Sequence, residues 1–337
     1  MIRVSVLAVS ESIGSAVLGA HDLLATAGIA WSAMVDHGPF KPLYKPAIVA
    51  PRRGSLTCFN GTVIHPHKTL GDVEATDVVY VPPLWLPPGE TFAGRYRNLV
   101  RWIRRMYEQG AIVAAACTGT LILAESELLD GQAATTHWAY VDTLRRHYPR
   151  IDVRAERAVV ESGADGRLVT AGAHASWYDL MLQLIRRHGG TEAAIRTAKV
   201  FLIQWHADGQ APYSVFRTNL DHADAVIRDC QAWLEKHLSH PNPVDAVEQH
   251  SGLRPRTFAR RFKEATGFTP IDYVQRLRVE QAKSRLETSG EAVEQISWKV
   301  GYEDVAFFRR LFRRTTGLTP SAYRRRFRVP PTDRASN

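Results

Sequence analysis

The sequence predicts two domains of different class: an α/β domain with a mostly parallel sheet covered by helices on both faces, then an all-α domain. Three observations predict it. Short apolar runs alternate with helix-length amphipathic segments from Met1 to about His188. Strand signals vanish after the Gly- and Pro-containing stretch Ala207 to Pro212, and Asp221 to Phe327 carries helical periodicity and charge. The length, 337 residues, also exceeds what one core ordinarily serves, since single cores stop growing at about 250 to 300 residues.

In chain order, the strand-length runs are Val4 to Val9, Ala47 to Ala50, Val78 to Pro82, Ile112 to Ala116 and Leu168 to Ala171. They are apolar and rich in β-branched residues, the pattern of parallel strands buried on both faces. Helical patterns lie between them. Phe92 to Gln109 places Tyr96, Leu99, Val100, Ile103 and Met106 on one face, and Thr120 to Leu128 and Thr136 to His147 follow. A further helix, Thr191 to His206, leads into the connector Ala207-Asp208-Gly209-Gln210-Ala211-Pro212. These signals divide the chain into a first domain over 1–190, a helix and linker over 191–224, a second domain over 225–328 and a short polar tail over 329–337.

Composition excludes several classes. The 45% hydrophobic and 23% charged content is that of a globular chain, which rules out a fibrous or disordered architecture. No early stretch joins a basic start, a continuous apolar run and a small-residue cleavage site. The longest apolar tract, Ala111 to Ala124, is interrupted by Thr118, Gly119 and Thr120 and is shorter than the roughly 18 residues of a membrane span. Cys58, Cys117 and Cys230 are odd in number and lack metal-type spacing, which argues against a disulfide framework and a zinc site. The expectation is a soluble cytoplasmic protein without metal or cofactor. The net charge of +9 is concentrated: residues 225–328 hold 20 Lys and Arg against 12 Asp and Glu, and the remainder 23 against 22. Such a concentration suits a phosphate backbone, although an anionic membrane or acidic protein would attract it too.

The second domain contains a duplication. Phe258, Phe262, Gly267, Thr269, Pro270, Tyr273 and Arg276 recur 50 positions later as Phe308, Phe312, Gly317, Thr319, Pro320, Tyr323 and Arg326. The aromatic pairs lie four residues apart and share an inward helix face, while Gly267 and Gly317 suit left-handed caps followed by a Pro-containing turn. Upstream, Val244 to Gln249 and Ala292 to Lys299 read as short helices, separated from the repeated ones by turns holding Gly252 and Gly301. Helix, Gly-containing turn, helix is the layout of a helix-turn-helix. The outward residues of the second helix in each copy are basic: Arg256, Arg260 and Lys263, then Arg309, Arg310 and Arg313. Two such helices on a rigid connector could enter successive major grooves of double-stranded DNA.

The stretch from about Ala225 to Arg328 resembles the AraC-type DNA-binding domain, especially in Gly252-Leu253-Arg254-Pro255-Arg256-Thr257-Phe258, Gly301-Tyr302-Glu303-Asp304 and Gly317-Leu318-Thr319-Pro320-Ser321-Ala322-Tyr323-Arg324. The resemblance implies seven helices, two helix-turn-helix units and a bridging helix, here Ile271 to Glu287. By motif position it implies base-facing residues at Arg256, Ala259 and Arg260 in the first unit and at Val305, Ala306, Arg309 and Arg310 in the second, and the wider DNA-contacting set of the first unit adds Arg254, Thr257 and Lys263. That of the second unit adds Arg313. Val305 and Ala306 cannot donate hydrogen bonds, so the second unit is expected to read thymine methyls or shape.

In the first domain, Ala111 to Gly119 reads as a buried strand running into a small-residue turn and a helix, with Cys117 at the turn. This is nucleophile-elbow geometry, and a thiol there could add to a carbonyl or nitrile carbon, with Thr135-Thr136-His137-Trp138 supplying a base. Together with Gly131 to Trp138, Ala171-Gly172 and Gly209-Gln210-Ala211-Pro212, these segments resemble the PfpI-like branch of the class I glutamine amidotransferase fold. That fold is flavodoxin-like, and the branch is the one found in GlxA-like AraC-type regulators. Catalytic relatives carry an acidic residue on the loop after the first strand, where this chain has Ser15-Ala16-Val17-Leu18. The resemblance therefore implies a catalytically inactive sensing domain, with Cys117, Thr118 and His137 as ligand-pocket candidates. It also implies an activator of transcription that is a homodimer, responds to a small-molecule effector and works with RNA polymerase. The rival expectation is a cysteine-dependent amidohydrolase or isonitrile-hydratase-like enzyme with an accessory DNA-binding module.

Overall fold

The computed structural model describes residues 1–163 and 165–328, and the tail read over 329–337 lies outside them. The chain forms two compact units, Met1–Gln210 and one beginning at Ala211.

The first unit contains strands β1 (Ile2–Leu7), β2 (Tyr44–Ala50), β3 (Leu56–Thr57), β4 (Val63–Ile64), β5 (Lys68–Thr69), β6 (Val78–Val81), β7 (Ile112–Ala116), β8 (Ala133–Ala134), β9 (Asp152–Val153), β10 (Val159–Ser162) and β11 (Leu168–Ala171). Seven of them form one sheet in the order β10-β11-β7-β6-β1-β2-β5, parallel throughout except for β10 against β11. The helices are α1 (Gly14–Thr26), α2 (Arg97–Glu108), α3 (Gly119–Glu125), α4 (Val141–His147) and α5 (Trp177–Phe201). Alternation along the strands sorts side chains into two cores. Val4, Val6, Val78, Tyr80, Ile112 and Ala114 join α1 and α5 on one face. Leu7, Val9, Val79, Val81, Val113 and Ala115 join α2 and α3 on the other. The sheet is mostly parallel and covered on both faces, as the apolar runs predict.

Boundaries differ where glycine intervenes. The helix expected from Phe92 starts at Arg97, because Gly94 has φ 69° and Tyr96 is non-helical at φ −119°, ψ 40°. The residues read as a helix over 191–206 form the second half of α5, kinked at Gly190 with φ 83° and ψ 170° and ending at Phe201. Ala194 is buried in the first core and Ala193 packs against it, so this half belongs to the first unit.

The second unit holds seven α-helices among the described residues: α6 (Ala225–Lys236), α7 (Pro243–His250), α8 (Pro255–Thr266), α9 (Pro270–Thr288), α10 (Val293–Lys299), α11 (Val305–Thr316) and α12 (Pro320–Phe327). The sequence duplication is a structural one. Gly267 and Gly317 end α8 and α11 in the left-handed region, at φ 83° and 77°. Thr269 and Thr319 then cap the next helices, accepting from the backbone N–H of Asp272 and Ala322 at 3.2 Å each. Phe262 meets Tyr273 edge-on at 5.1 Å, and Phe312 meets Tyr323 edge-on at 5.4 Å.

The 19-residue α9 belongs to both copies: Tyr273 and Val274 sit in the core of the first, Val279, Ala282 and Leu286 in that of the second. At 1.5 Å per residue it is a rod of roughly 28 Å. Arg278 fastens the copies together. Buried on α9, it donates to the carbonyls of Leu238 (2.9 Å) and His240 (2.8 Å) and lies over the Tyr302 ring. Gly301 has φ 90°, a conformation that favours glycine, and a Cβ there would also lie 2.5 Å from the Arg278 guanidinium.

Candidate nucleic-acid interface and the strand-to-helix junction at Cys117

Recognition-type helices need one face that packs and one that does not. In α8 and α11 the packed face is Phe258, Phe262, Phe308 and Phe312, all fully buried. The opposite face carries the cations. Arg254, Arg256, Ala259, Arg260 and Lys263 are exposed around α8, with Thr257 half-buried, and Ala306, Arg309, Arg310 and Arg313 are exposed on α11, with Val305 half-buried. Each copy therefore brings its residues from the sequence-derived set onto one surface. Arg260 pairs with Glu264 at 2.9 Å and Arg309 with Glu294 at 2.5 Å. These are exposed pairs of little net energy, so a phosphate or base edge can replace the carboxylate. Arg254, Arg256, Lys263, Arg310 and Arg313 form no ion pair among the described residues.

The copies differ at the helix entrance. Asp304 caps α11 by accepting from the backbone N–H of Ala306 (2.8 Å) and Phe307 (2.9 Å). Arg254 occupies the equivalent place before α8 and provides no side-chain cap, leaving first-turn N–H groups open beside Arg254 and Arg256. The α8 entrance suits a phosphate, whereas the α11 entrance carries a carboxylate and relies on Arg309, Arg310 and Arg313 further along.

In the first unit, β7 runs into α3 through Cys117, whose φ of 58° is left-handed for a residue with a side chain. That is the strained turn expected of a nucleophile elbow. Gly119 allows the turn to close, since a Cβ there would lie 2.6 Å from the carbonyl oxygen of Pro82 and 2.7 Å from that of Val81. The groups around the sulfur are committed internally. Thr118 accepts from the backbone N–H of Leu84 at 2.8 Å and donates to its carbonyl at 2.5 Å, so this buried hydroxyl is a brace. Thr136 donates to the Cys117 carbonyl at 2.8 Å. Cys117 is 6% exposed, and burial pushes its thiol up to about 11, offset in part by hydrogen bonds from Thr118.

His137 is not placed as a base. It caps the turn at Trp138–Tyr140 by accepting from the backbone N–H of Ala139 at 3.0 Å, and no hydrogen bond joins it to Cys117 among the described residues. Burial, reinforced by nearby His174, holds its imidazole down to about 4. No hydrogen bond joins a carboxylate to the cysteine among the described residues. Glu11, on the loop after β1, binds Arg95 at 2.9 Å, Ser10 at 2.8 Å and the Tyr96 hydroxyl. Cys58 and Cys230 are buried packing thiols.

Gln210 is the residue whose role the sequence does not reveal. It is 2% exposed, accepts from the backbone N–H of Trp138 (3.1 Å) and donates to the Thr136 carbonyl (2.8 Å) and the Thr135 hydroxyl (3.1 Å). Gly172 makes room for it, because a Cβ there would lie 2.7 Å from the Gln210 amide. The last residue of the first unit is thus bolted to the segment that braces Cys117. The one signal in sequence is the recurrence of Gly209-Gln210-Ala211-Pro212 in the resemblance.

Comparison with known proteins agrees with both halves. Residues 39–187 match the family model of the DJ-1/PfpI family, and residues 248–326 match that of a helix-turn-helix domain. The chain is 26% identical over 271 residues to the HTH-type transcriptional regulator CdhR of Pseudomonas aeruginosa, covering 80% of this chain and 78% of the relative. It is 26% identical over 278 residues to the HTH-type transcriptional regulator GlxA of Rhizobium meliloti, covering 80% and 81%. A shorter match, 34% identical over 95 residues, covers 28% of this chain and 34% of the HTH-type transcriptional activator RhaS of Escherichia coli. Among solved structures, a candidate transcriptional regulator from Vibrio parahaemolyticus superposes with a TM-score of 0.50 at 20% identity, over 60% of this chain and 99% of that one. That likeness concerns the fold alone. The chain carries a DJ-1/PfpI domain and an AraC-type helix-turn-helix domain, and its curated relatives are DNA-binding transcriptional regulators rather than enzymes.

Proposed function

We infer that this chain, a DNA-binding transcriptional regulator that joins a DJ-1/PfpI domain to an AraC-type helix-turn-helix domain, reads DNA with both copies of its duplicated unit under control of a small-molecule effector. The observation that carries the reading is the pair of cationic, outward faces on α8 and α11, held on one rod by α9. In this assignment Arg256, Arg260 and Arg310 contact base edges, while Arg254, Lys263, Arg309 and Arg313 contact phosphates. Thr257, Ala259, Val305 and Ala306 supply van der Waals contact to sugars and thymine methyls.

The first domain is the effector-binding part, and it is catalytically silent because its thiol lacks a proton partner. The protein acts in the cytoplasm as a homodimer and activates transcription through RNA polymerase. The match to a transcriptional activator supports the last point, and it is confined to the DNA-binding domain.

Gel retardation with the DNA upstream of its own gene, compared with random DNA across a salt series, tests the reading. Retardation of the upstream fragment is expected to persist at salt concentrations that release random DNA. Equal affinity for both fragments at every salt concentration defeats it.

A further inference from the structure

We propose that the effector site is an arginine-lined cleft at the carboxyl ends of β1 and β2, away from Cys117, and that it takes a small molecule bearing an oxyanion, a carboxylate or phosphate. The proposal rests on the effector-controlled reading above and names the site and ligand class within it.

The cleft has a volume of about 720 Å³ and is walled by Arg52, Arg53, Arg95 and Arg97, with Tyr96 and Asn98 beside them. A second hollow of about 460 Å³ shares Arg52 and Arg53 with it and adds His67 and Lys68. Both volumes suit a metabolite, for which sites of about 300 to 1,000 Å³ are usual. Cys117, Thr118 and His137 line neither.

Position favours a ligand here. In the order β10-β11-β7-β6-β1-β2-β5 the chain adds β2 on one side of β1 and later β6 on the other, so the sheet order reverses between β1 and β6, and the cleft joins the ends of β1 and β2 to the segment leading from β6 into α2. Open parallel sheets bind ligands beyond the carboxyl ends of the strands at such a reversal. Val9 and Ser10 follow β1, and Pro51 and Arg52 follow β2, and all four line the cleft.

Charge selects the ligand class. Arg95 is neutralised by Glu11 at 2.9 Å and Arg53 by Asp72 at 3.0 Å. Arg52 and Arg97 have no acidic partner among the described residues, which leaves two guanidinium groups in one cleft without a counter-charge. Helix α2 begins in the same wall with no side-chain cap, so the first-turn N–H groups at Asn98 and Leu99 add donors of the same sign. An oxyanion accepts from all of these, and guanidinium binds it in bidentate fashion. A cavity of about 550 Å³ beside Trp31 differs in being lined by the carboxylates Asp36 and Glu192, which already hold its Arg196 at 3.2 and 2.7 Å.

Titration calorimetry on the full chain tests the assignment with three probes: succinate, inorganic phosphate and the uncharged diamide succinamide. Saturable binding of succinate or phosphate at millimolar concentration is expected, with succinamide silent, and the stronger of the two anions identifies the oxyanion. In R52Q/R97Q that binding is expected to weaken roughly tenfold or more. R145Q/R146Q removes equal charge from α4 and is expected to bind as the parent does. The assignment is overturned if neither anion binds saturably, if succinamide binds as well as succinate, or if the two double variants behave alike. Gel retardation of the upstream DNA by the same variants keeps the outcomes apart. Retardation by the parent without saturable anion binding, or with equal anion binding by both double variants, refutes the cleft alone, and failed retardation by a parent that binds the anion refutes the regulator reading.

Discussion

The junction at Cys117 and the outer faces of α8 and α11 carry comparable chemistry in sequence, and the structure treats them in opposite ways. At the junction, the left-handed turn, Gly119 and the strand-to-helix exit preserve the outline of a nucleophile site. Thr118, however, is bonded twice to Leu84, Thr136 to Cys117, and Gln210 to Thr135 and Thr136. On the outward faces of α8 and α11, Arg256, Arg310 and Arg313 form no ion pair among the described residues, and Arg260 and Arg309 are held only by exposed carboxylates. A residue acts on another molecule only with the hydrogen-bonding capacity that its own fold leaves uncommitted. By that measure the junction is committed within its own fold, whereas the helix faces keep capacity for another molecule.

The contrast can be attacked from either side, beginning with the largest effect. Changing Arg260 and Arg310 together to Ala is expected to weaken binding to a specific DNA fragment roughly a hundredfold or more, at about 1 to 3 kcal/mol for each base contact. Both side chains are exposed, so the melting temperature should hardly move. Fluorescence anisotropy and a thermal melt, run side by side, check this. A large fall in melting temperature with little change in affinity would reverse the roles assigned to the two regions.

Next in size is the thiol. With its pKa pushed up to about 11, Cys117 is almost wholly protonated at pH 8. Alkylation there by iodoacetamide should run roughly a hundredfold or more slower than that of free cysteine. Mass spectrometry of the parent and of Cys117→Ser, followed over time, isolates the site from Cys58 and Cys230. Rapid labelling at Cys117 would instead restore the enzyme reading. A smaller effect is expected of Thr118→Val, which strands the backbone N–H and carbonyl of Leu84 in the interior. The cost is about 1 to 3 kcal/mol of stability, read as a lower melting temperature with DNA affinity unchanged.

What could be read in advance follows the range of the interaction. Ile112–Ala116 and Leu168–Ala171 are bounded as expected because short, mostly apolar runs that follow Gly110 and Arg167 and end in small-residue turns at Thr118-Gly119 and Gly172 mark buried strands locally. The faces of α8 and α11 were legible for a second reason: the 50-residue duplication removes the ambiguity of any single basic run. The start of α2 was not, since the amphipathic pattern extends back to Phe92 while Gly94 and Tyr96 leave helical geometry. The short strands β3, β4, β8 and β9 pair only two residues apiece, too few to leave a periodic trace. The closure of the Cys117 site depends on partners 34 and about 75 residues away, Leu84 for Thr118 and Gln210 for Thr135. No local pattern records such pairings.

The smallest expected effect probes the joint where Gln210 meets the 135–138 segment. His137 has its imidazole held down to about 4, first by burial and then by His174, against about 6.5 in an unfolded chain. A folded-state value below the unfolded one means that the unfolded chain binds the proton more readily. The contribution to stability is therefore complete above pH 6.5 and is lost progressively as the pH falls from about 6.5 toward about 4. His137→Asn keeps a side chain able to accept from the Ala139 N–H and removes the titration. Carboxylates and His174, itself shifted down by burial, titrate in part of the same window. The informative quantity is thus the difference between the melting curves of the parent and His137→Asn across that range. The parent should lose more stability than the variant as pH falls, with the gap closing above pH 7. Parallel curves would mean that His137 is well hydrated, and the joint would then be loose enough to admit a ligand beside Cys117.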